Sequence, residues 1–140
     1  MTKVIAKIDN SKYRTEVNVG NHQLVSDESS PFGRDRGPNP YDFLLASLGS
    51  CVAMTLRMYA DRKGWDMEEA EAHLSQSRIH ANDCEDCESE SGYVHKIEKK
   101  LKFKGNLSDS QVERLLEIAD RCPVNKTLLN EIKIETILID

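Results

Sequence analysis

The cysteines carry the reactive chemistry this sequence can offer, and they occupy three different settings. Cys51 lies in the run from Phe43 to Met54, which is apolar or small at nearly every position. It sits about three turns into a predicted helix, beyond the reach of the helix dipole. Burial alone raises a thiol's pKa and leaves it an inert small hydrophobe; a neighbouring cation, most naturally an arginine, would make it a nucleophile. Cys122 precedes Pro123, a good first residue for a short helix, so its thiol stands at an N-cap where unsatisfied N–H groups favour a thiolate. Two thiols so far apart in sequence can cycle through a sulfenic acid and a disulfide if the fold brings them together. Cys84 and Cys87 form a CxxC among Asp83, Glu85, Asp86 and Glu88, whose charges oppose thiolate formation. Half a zinc site, a redox pair and a plain polar loop all remain open there, with His73, His80 and His95 on nearby predicted strands.

Other polar residues have quieter readings. Asn39 is a good N-cap, Pro40 suits the first helical position, and Asp42 falls where a carboxylate caps the helix and meets its dipole; general-base chemistry is the rival role for Asp42. Arg34 and Arg36 lie in a loop with Gly33 and Gly37, which can fold back over a pocket or stay solvated. His22 sits near a turn, and the Lys-rich stretch His95–Lys104 reads as a solvated strand face. No phosphate-binding glycine loop, dinucleotide fingerprint, HExxH or GxSxG is present.

The elements that must position these groups follow from periodicity. Lys3–Ile8, Tyr13–Val19 and Gln23–Ser26 alternate between turns at Asp9-Asn10-Ser11 and Gly20-Asn21, giving an antiparallel meander. The long helix should begin at Pro40, stop at Gly64 and be buried on most sides. Met67–Ala81 and Tyr93–Phe103 read as strands around the polar loop Asn82–Gly92. Ser108 and Gln111 fit a capping box ahead of a helix with the apolar stripe Val112, Leu115, Leu116 and Ala119. A short helix follows through Leu129, and Ile132–Ile139 closes as a strand. The order predicts a single α+β domain over residues 1–140.

Composition narrows the possibilities. The chain has 140 residues, 19 basic against 24 acidic, with a net charge of −5. That balance gives no basic field for nucleic acid. The opening MTKVIAKIDN has no sustained apolar stretch, so no signal peptide is expected. The uncharged run Phe43–Leu56 is too short to span a bilayer, so no membrane partner is expected either. Cysteines without a secretion signal point to a reducing cytoplasm. A thin core in a chain of this size makes subunit association a natural source of further burial.

The segments Asn39-Pro40-Tyr41-Asp42-Phe43-Leu44-Leu45-Ala46-Ser47-Leu48-Gly49-Ser50-Cys51 and Arg121-Cys122-Pro123-Val124 resemble the OsmC/Ohr family of thiol-dependent hydroperoxide reductases and their relatives. The resemblance covers nearly the whole chain. It implies an α+β fold with antiparallel sheets, a long buried central helix and an intertwined homodimer with sites at its interface. It also implies that Cys51 attacks an organic hydroperoxide and Cys122 resolves the sulfenic acid to a disulfide. A dithiol such as a lipoyl protein would then restore the thiols, with no resident cofactor or metal. Arg34 or Arg36, or Arg14 from the early hairpin, would supply the thiolate-stabilising cation. Tyr41 stands where the peroxidase branches carry a glutamate, with Asp42 one position on, which brings the chain closer to the OsmC-like branch. The alternative is a non-catalytic redox-sensing or small-ligand-binding protein on the same fold.

Overall fold

The computed structural model describes residues 3–84, 88 and 92–139, in two compact units that meet between Ala46 and Ser47. In the first unit, β1 (Val4–Ile8), β2 (Thr15–Val19) and β3 (His22–Ser26) form an antiparallel sheet in the order β1-β2-β3. Ala6 pairs with Val17, and Val17 with Leu24. Asp9 accepts the Ser11 N–H at 2.8 Å, a local side-chain turn that ends β1. After β3 the chain folds back on itself: Asp27 N–H and the Ser26 hydroxyl both donate to Pro38 O, at 3.2 and 2.9 Å. A Cβ at Gly37 would lie 2.1 Å from Val25 O, so the close return requires glycine.

Helix α1 (Pro40–Lys63) starts and stops where its caps dictate. The Asn39 carbonyl side chain accepts the Asp42 N–H at 2.8 Å, and the Asp42 carboxylate accepts the Asn39 N–H at 3.0 Å. Gly64 then takes the left-handed conformation that a helix terminus favours. Contrary to the expectation of burial on most sides, only the stripe Leu48, Val52, Leu56, Tyr59 and Ala60 is buried. Met54 and Met58 are 65% and 70% exposed, because one chain covers one side of the helix. With its flanks, α1 is also long and apolar enough by length and composition to cross a bilayer, unlike the shorter run weighed from sequence. The second unit packs the buried stripe of α1 against apolar side chains.

In that unit, β4 (Asp66–His80) and β5 (Tyr93–Asn106) pair antiparallel over nearly their whole length. α2 (Asp109–Ala119) opens with the expected Ser108–Gln111 capping box, and α3 (Pro123–Leu129) follows. Leu115, Ile118 and Ala119 of α2 join Leu56 and Met67 in the core, with Ala70, Leu74, Ile97, Leu101 and Phe103 of the ribbon packed against them. The α2 stripe differs from expectation by one position: Ile118 is buried, while Leu116 is 47% exposed, since the helix turns the 115–118–119 edge to the core.

Residues 132–139 do not form the closing strand expected from their alternation. They pair with no described strand, and Ile134, Ile137, Leu138 and Ile139 are between 75% and 96% exposed. A strand exists only by hydrogen bonding to a neighbour, and this chain offers that segment none among the described residues.

Candidate functional site

The second unit brings the two expected thiols together. Cys51 comes from the middle of α1 and Cys122 from the corner between α2 and α3. Both are free, and consecutive N–H groups of one turn reach the two sulfurs. Pro123 fixes the corner, so the next two N–H groups turn toward sulfur: Val124 donates to Cys51 Sγ at 3.5 Å and Asn125 to Cys122 Sγ at 3.3 Å. Cys51 is half-buried, whereas Cys122 is fully enclosed.

Enclosure decides the state of Cys122. Burial pushes its thiol up and contact with the Cys51 sulfur adds to this, while the Asn125 N–H and the Lys99 charge pull it down. The net shift is upward, so Cys122 is a thiol at neutral pH. Helix-start reasoning anticipated a thiolate; desolvation outweighs the N–H donor here.

Lys99 is a site residue that sequence reasoning assigned to solvent. Its side chain is only 14% exposed, and its ammonium donates to Asn125 Oδ1 at 2.8 Å, Asp120 Oδ1 at 2.9 Å and Ala119 O at 3.2 Å. Strand parity carries the signal that could have found it. Ile97, Lys99, Leu101 and Phe103 share one face of β5, while Lys96, Glu98, Lys100 and Lys102 take the other. A lysine in the apolar phase of a strand turns inward.

A cavity of about 610 Å³ opens beside this corner. Leu48, Ile79, Val94, Ile97 and Leu128 give it an apolar lining, with Lys99 and Asn125 on one wall. Cys84 also lines it and is disulfide-bonded, not a free thiol; Cys87 lies outside the described residues. The histidines weighed as zinc ligands have other partners: His73 meets Glu71 at 2.6 Å, His95 meets Gln76 at 2.6 Å, and His80 stacks on Tyr93 with ring centroids 4.4 Å apart. Among the described residues no three His, Cys, Asp or Glu side chains converge as metal ligands.

The three arginines expected near the thiol belong to the first unit. Arg14, Arg34 and Arg36 line a cavity of about 250 Å³ with Ser11, Lys12 and Asp27, so the glycine-flanked loop does fold back over a pocket. Asp27 is 3% exposed, and its carboxylate accepts N–H bonds from Glu28 at 2.8 Å and Arg36 at 3.1 Å. Burial pushes its carboxyl up, but the N–H groups of Arg36, Glu28 and Arg34 and the Arg34 charge together hold it below the ordinary value. Asp42 is occupied in capping α1.

Comparison with known proteins concerns the fold that carries these residues. The sequence profile of a family described as OsmC-like protein matches residues 33–137. No curated protein matches the chain. Among solved structures, an OsmC-like protein from Mycoplasma pneumoniae superposes with a TM-score of 0.74 at 16% identity, covering 92% of this chain and 87% of its own. An OsmC-like protein of unknown function from Vibrio cholerae gives 0.68 at 12% identity, covering 91% and 92%. The organic hydroperoxide resistance protein OsmC from Legionella pneumophila gives 0.64 at 18% identity, covering 90% and 88%. At these identities the likeness is one of fold.

Proposed function

The chain belongs to the OsmC-like protein family, and from that premise we propose that it is a thiol-dependent reductase of organic hydroperoxides. The observation that carries the reading is one turn whose consecutive N–H groups reach both a half-buried Cys51 and an enclosed Cys122. Only Cys51 is open to a peroxide. Its thiolate attacks the terminal oxygen, the O–O bond breaks, and the alkoxide leaves as the alcohol after taking a proton. Cys51 is then a sulfenic acid. The Cys122 sulfur attacks it, an S–S bond forms, and hydroxide leaves with the Cys122 proton as water. A dithiol donor, of the dihydrolipoyl kind, returns two electrons by thiol–disulfide exchange and becomes a disulfide itself. The need for such a donor fits a cytoplasmic setting.

The remaining roles are part of the proposal. Arg34 and Arg36 are the proposed source of the cation that the Cys51 thiolate requires. Asp42 acts through its cap, fixing where α1 begins. The active form is a homodimer. Support comes from the uncovered apolar groups: Met54 and Met58 on α1, and Ile134, Ile137, Leu138 and Ile139 in a tail that pairs with no described strand. Replacing Ile134 and Ile137 by Asp should yield monomers in sedimentation, and an unchanged dimer would remove that support.

The peroxidase test is consumption of cumene hydroperoxide with dihydrolipoamide as donor. Wild type should turn over well above free dithiol, while Cys51→Ser should not. Full activity in Cys51→Ser would assign the attack to another group. A second reading, redox sensing or binding of a small apolar molecule, is favoured by the cavity of about 610 Å³ and by Tyr41. Saturable binding without turnover would select it.

A further inference from the structure

A lysine is an expensive residue to place on the strand face shared by Ile97 and Leu101, where its side chain is only 14% exposed, and its partners here show what it organises. Three acceptors from three consecutive parts of the α2–α3 corner converge on Lys99 Nζ: the last carbonyl of α2, Asp120, and the side chain of Asn125. Asn125 is also the residue whose N–H donates to Cys122 Sγ, and its side-chain amide donates to Asp120 O at 3.1 Å. Lys99 therefore grips both sides of the turn that carries the enclosed thiol.

We propose that Lys99 is the positioning residue of the resolving thiol: by fixing Asn125 and Asp120 it sets the turn that presents the Cys122 sulfur toward Cys51. Its charge also favours the thiolate that attacks the sulfenic acid. This rests on the hydroperoxide-reductase reading for its catalytic consequence, and on the bonds of Lys99 to the turn, with its charge beside them, for its effect on Cys122.

The groups around Cys122 leave Lys99 as the acting cation. From α1 comes Cys51, which opposes a second negative charge; from β5 comes Lys99; from the end of α2 comes Asp120, which pairs with Lys99. On the turn itself, Arg121 lines a separate cavity with Tyr59 and Arg114, and Lys126 is exposed. A purely structural role, a cation on the C-terminal carbonyls of α2, is the rival explanation and would leave the thiol indifferent.

The test is a residue-resolved titration of Cys122 by its ¹³Cβ shift in a Cys51→Ser background, comparing Lys99 with Lys99→Met and Lys99→Arg. Methionine keeps the apolar stem and removes the charge. Lys99→Met should move the titration to higher pH, and Lys99→Arg should bring it most of the way back. In chains with Cys51 intact, closure of the disulfide after one equivalent of cumene hydroperoxide should slow in Lys99→Met. Each pH unit of movement costs about tenfold in thiolate and returns about threefold in nucleophilicity, so a net loss of roughly threefold per unit is expected. If Lys99→Met fails to fold, Asn125→Ala keeps the lysine and cuts its tether, and should shift the titration in the same direction. An unmoved Cys122 titration in the folded variants overturns the proposal. The titration uses no peroxide, so a shift in a protein without turnover would sustain Lys99 while refuting the peroxidase.

Discussion

Closing a disulfide between Cys51 and Cys122 should stabilise the protein by an amount the structure fixes in advance. The bond would close a loop of roughly 70 residues, for which lost chain entropy in the unfolded state amounts to about 4 kcal/mol at 25 °C. The two sulfurs already accept from consecutive N–H groups of one turn in the reduced protein, which favours closure with little rearrangement. Measured disulfides fall short of the entropic limit, and a gain of about 2–4 kcal/mol is expected. For a chain of this length, that converts to a rise in Tm of roughly 6–12 °C. The assay is thermal unfolding of the protein before and after one equivalent of cumene hydroperoxide, at one protein concentration so that any association is constant. Cys122→Ser serves as the control and should show no rise. Equal Tm values for the two states, with the cross-link verified by mass, would mean that the bond distorts the corner it joins. The premise of a thiol pair preset for closure would then fail.

Further expectations concern the scaffold. Leu115→Ala removes a fully enclosed side chain from the core beneath the thiol corner and should cost about 2–5 kcal/mol in urea unfolding; a loss under about 1 kcal/mol would show that the site collapses around the gap. Asp27 has a folded pKa below its unfolded value, so its contribution is present above about pH 4 and is lost as pH falls through the folded value. In Asp27→Asn the urea midpoint should therefore decline less steeply on the acid side than in wild type. An identical acid limb in both proteins would mean the carboxylate is not held by the Arg34 and Arg36 loop.

What the sequence made legible was mostly local. The start and end of α1, the Ser108–Gln111 box and the Cys122-Pro123 helix start are written in caps and breakers that act within a few residues. The meeting of Cys51 with Cys122 was suggested by family resemblance, since no periodicity connects positions so far apart. Residues whose environment is supplied by distant elements were harder. Lys99 was assigned by residue type to solvent, although its phase in β5 matched Ile97 and Leu101. Burial on most sides of α1 was inferred from composition, and the chain covers only one stripe. The tail from Ile132 had the alternation of a strand, but the edge it would pair with cannot be read from its own residues. Cys122 received a thiolate from its position at a helix start, and its complete enclosure reversed the sign.

The most direct measurement is the oxidation state of each cysteine after one equivalent of cumene hydroperoxide, read by peptide mass mapping in wild type, Cys51→Ser and Cys122→Ser. The account predicts a Cys51–Cys122 disulfide in wild type, a trappable sulfenic acid at Cys51 in Cys122→Ser, and no oxidation of Cys122 in Cys51→Ser. Oxidation of Cys122 in the absence of Cys51, or a wild-type protein whose Cys51 remains a thiol while peroxide is consumed, would contradict it.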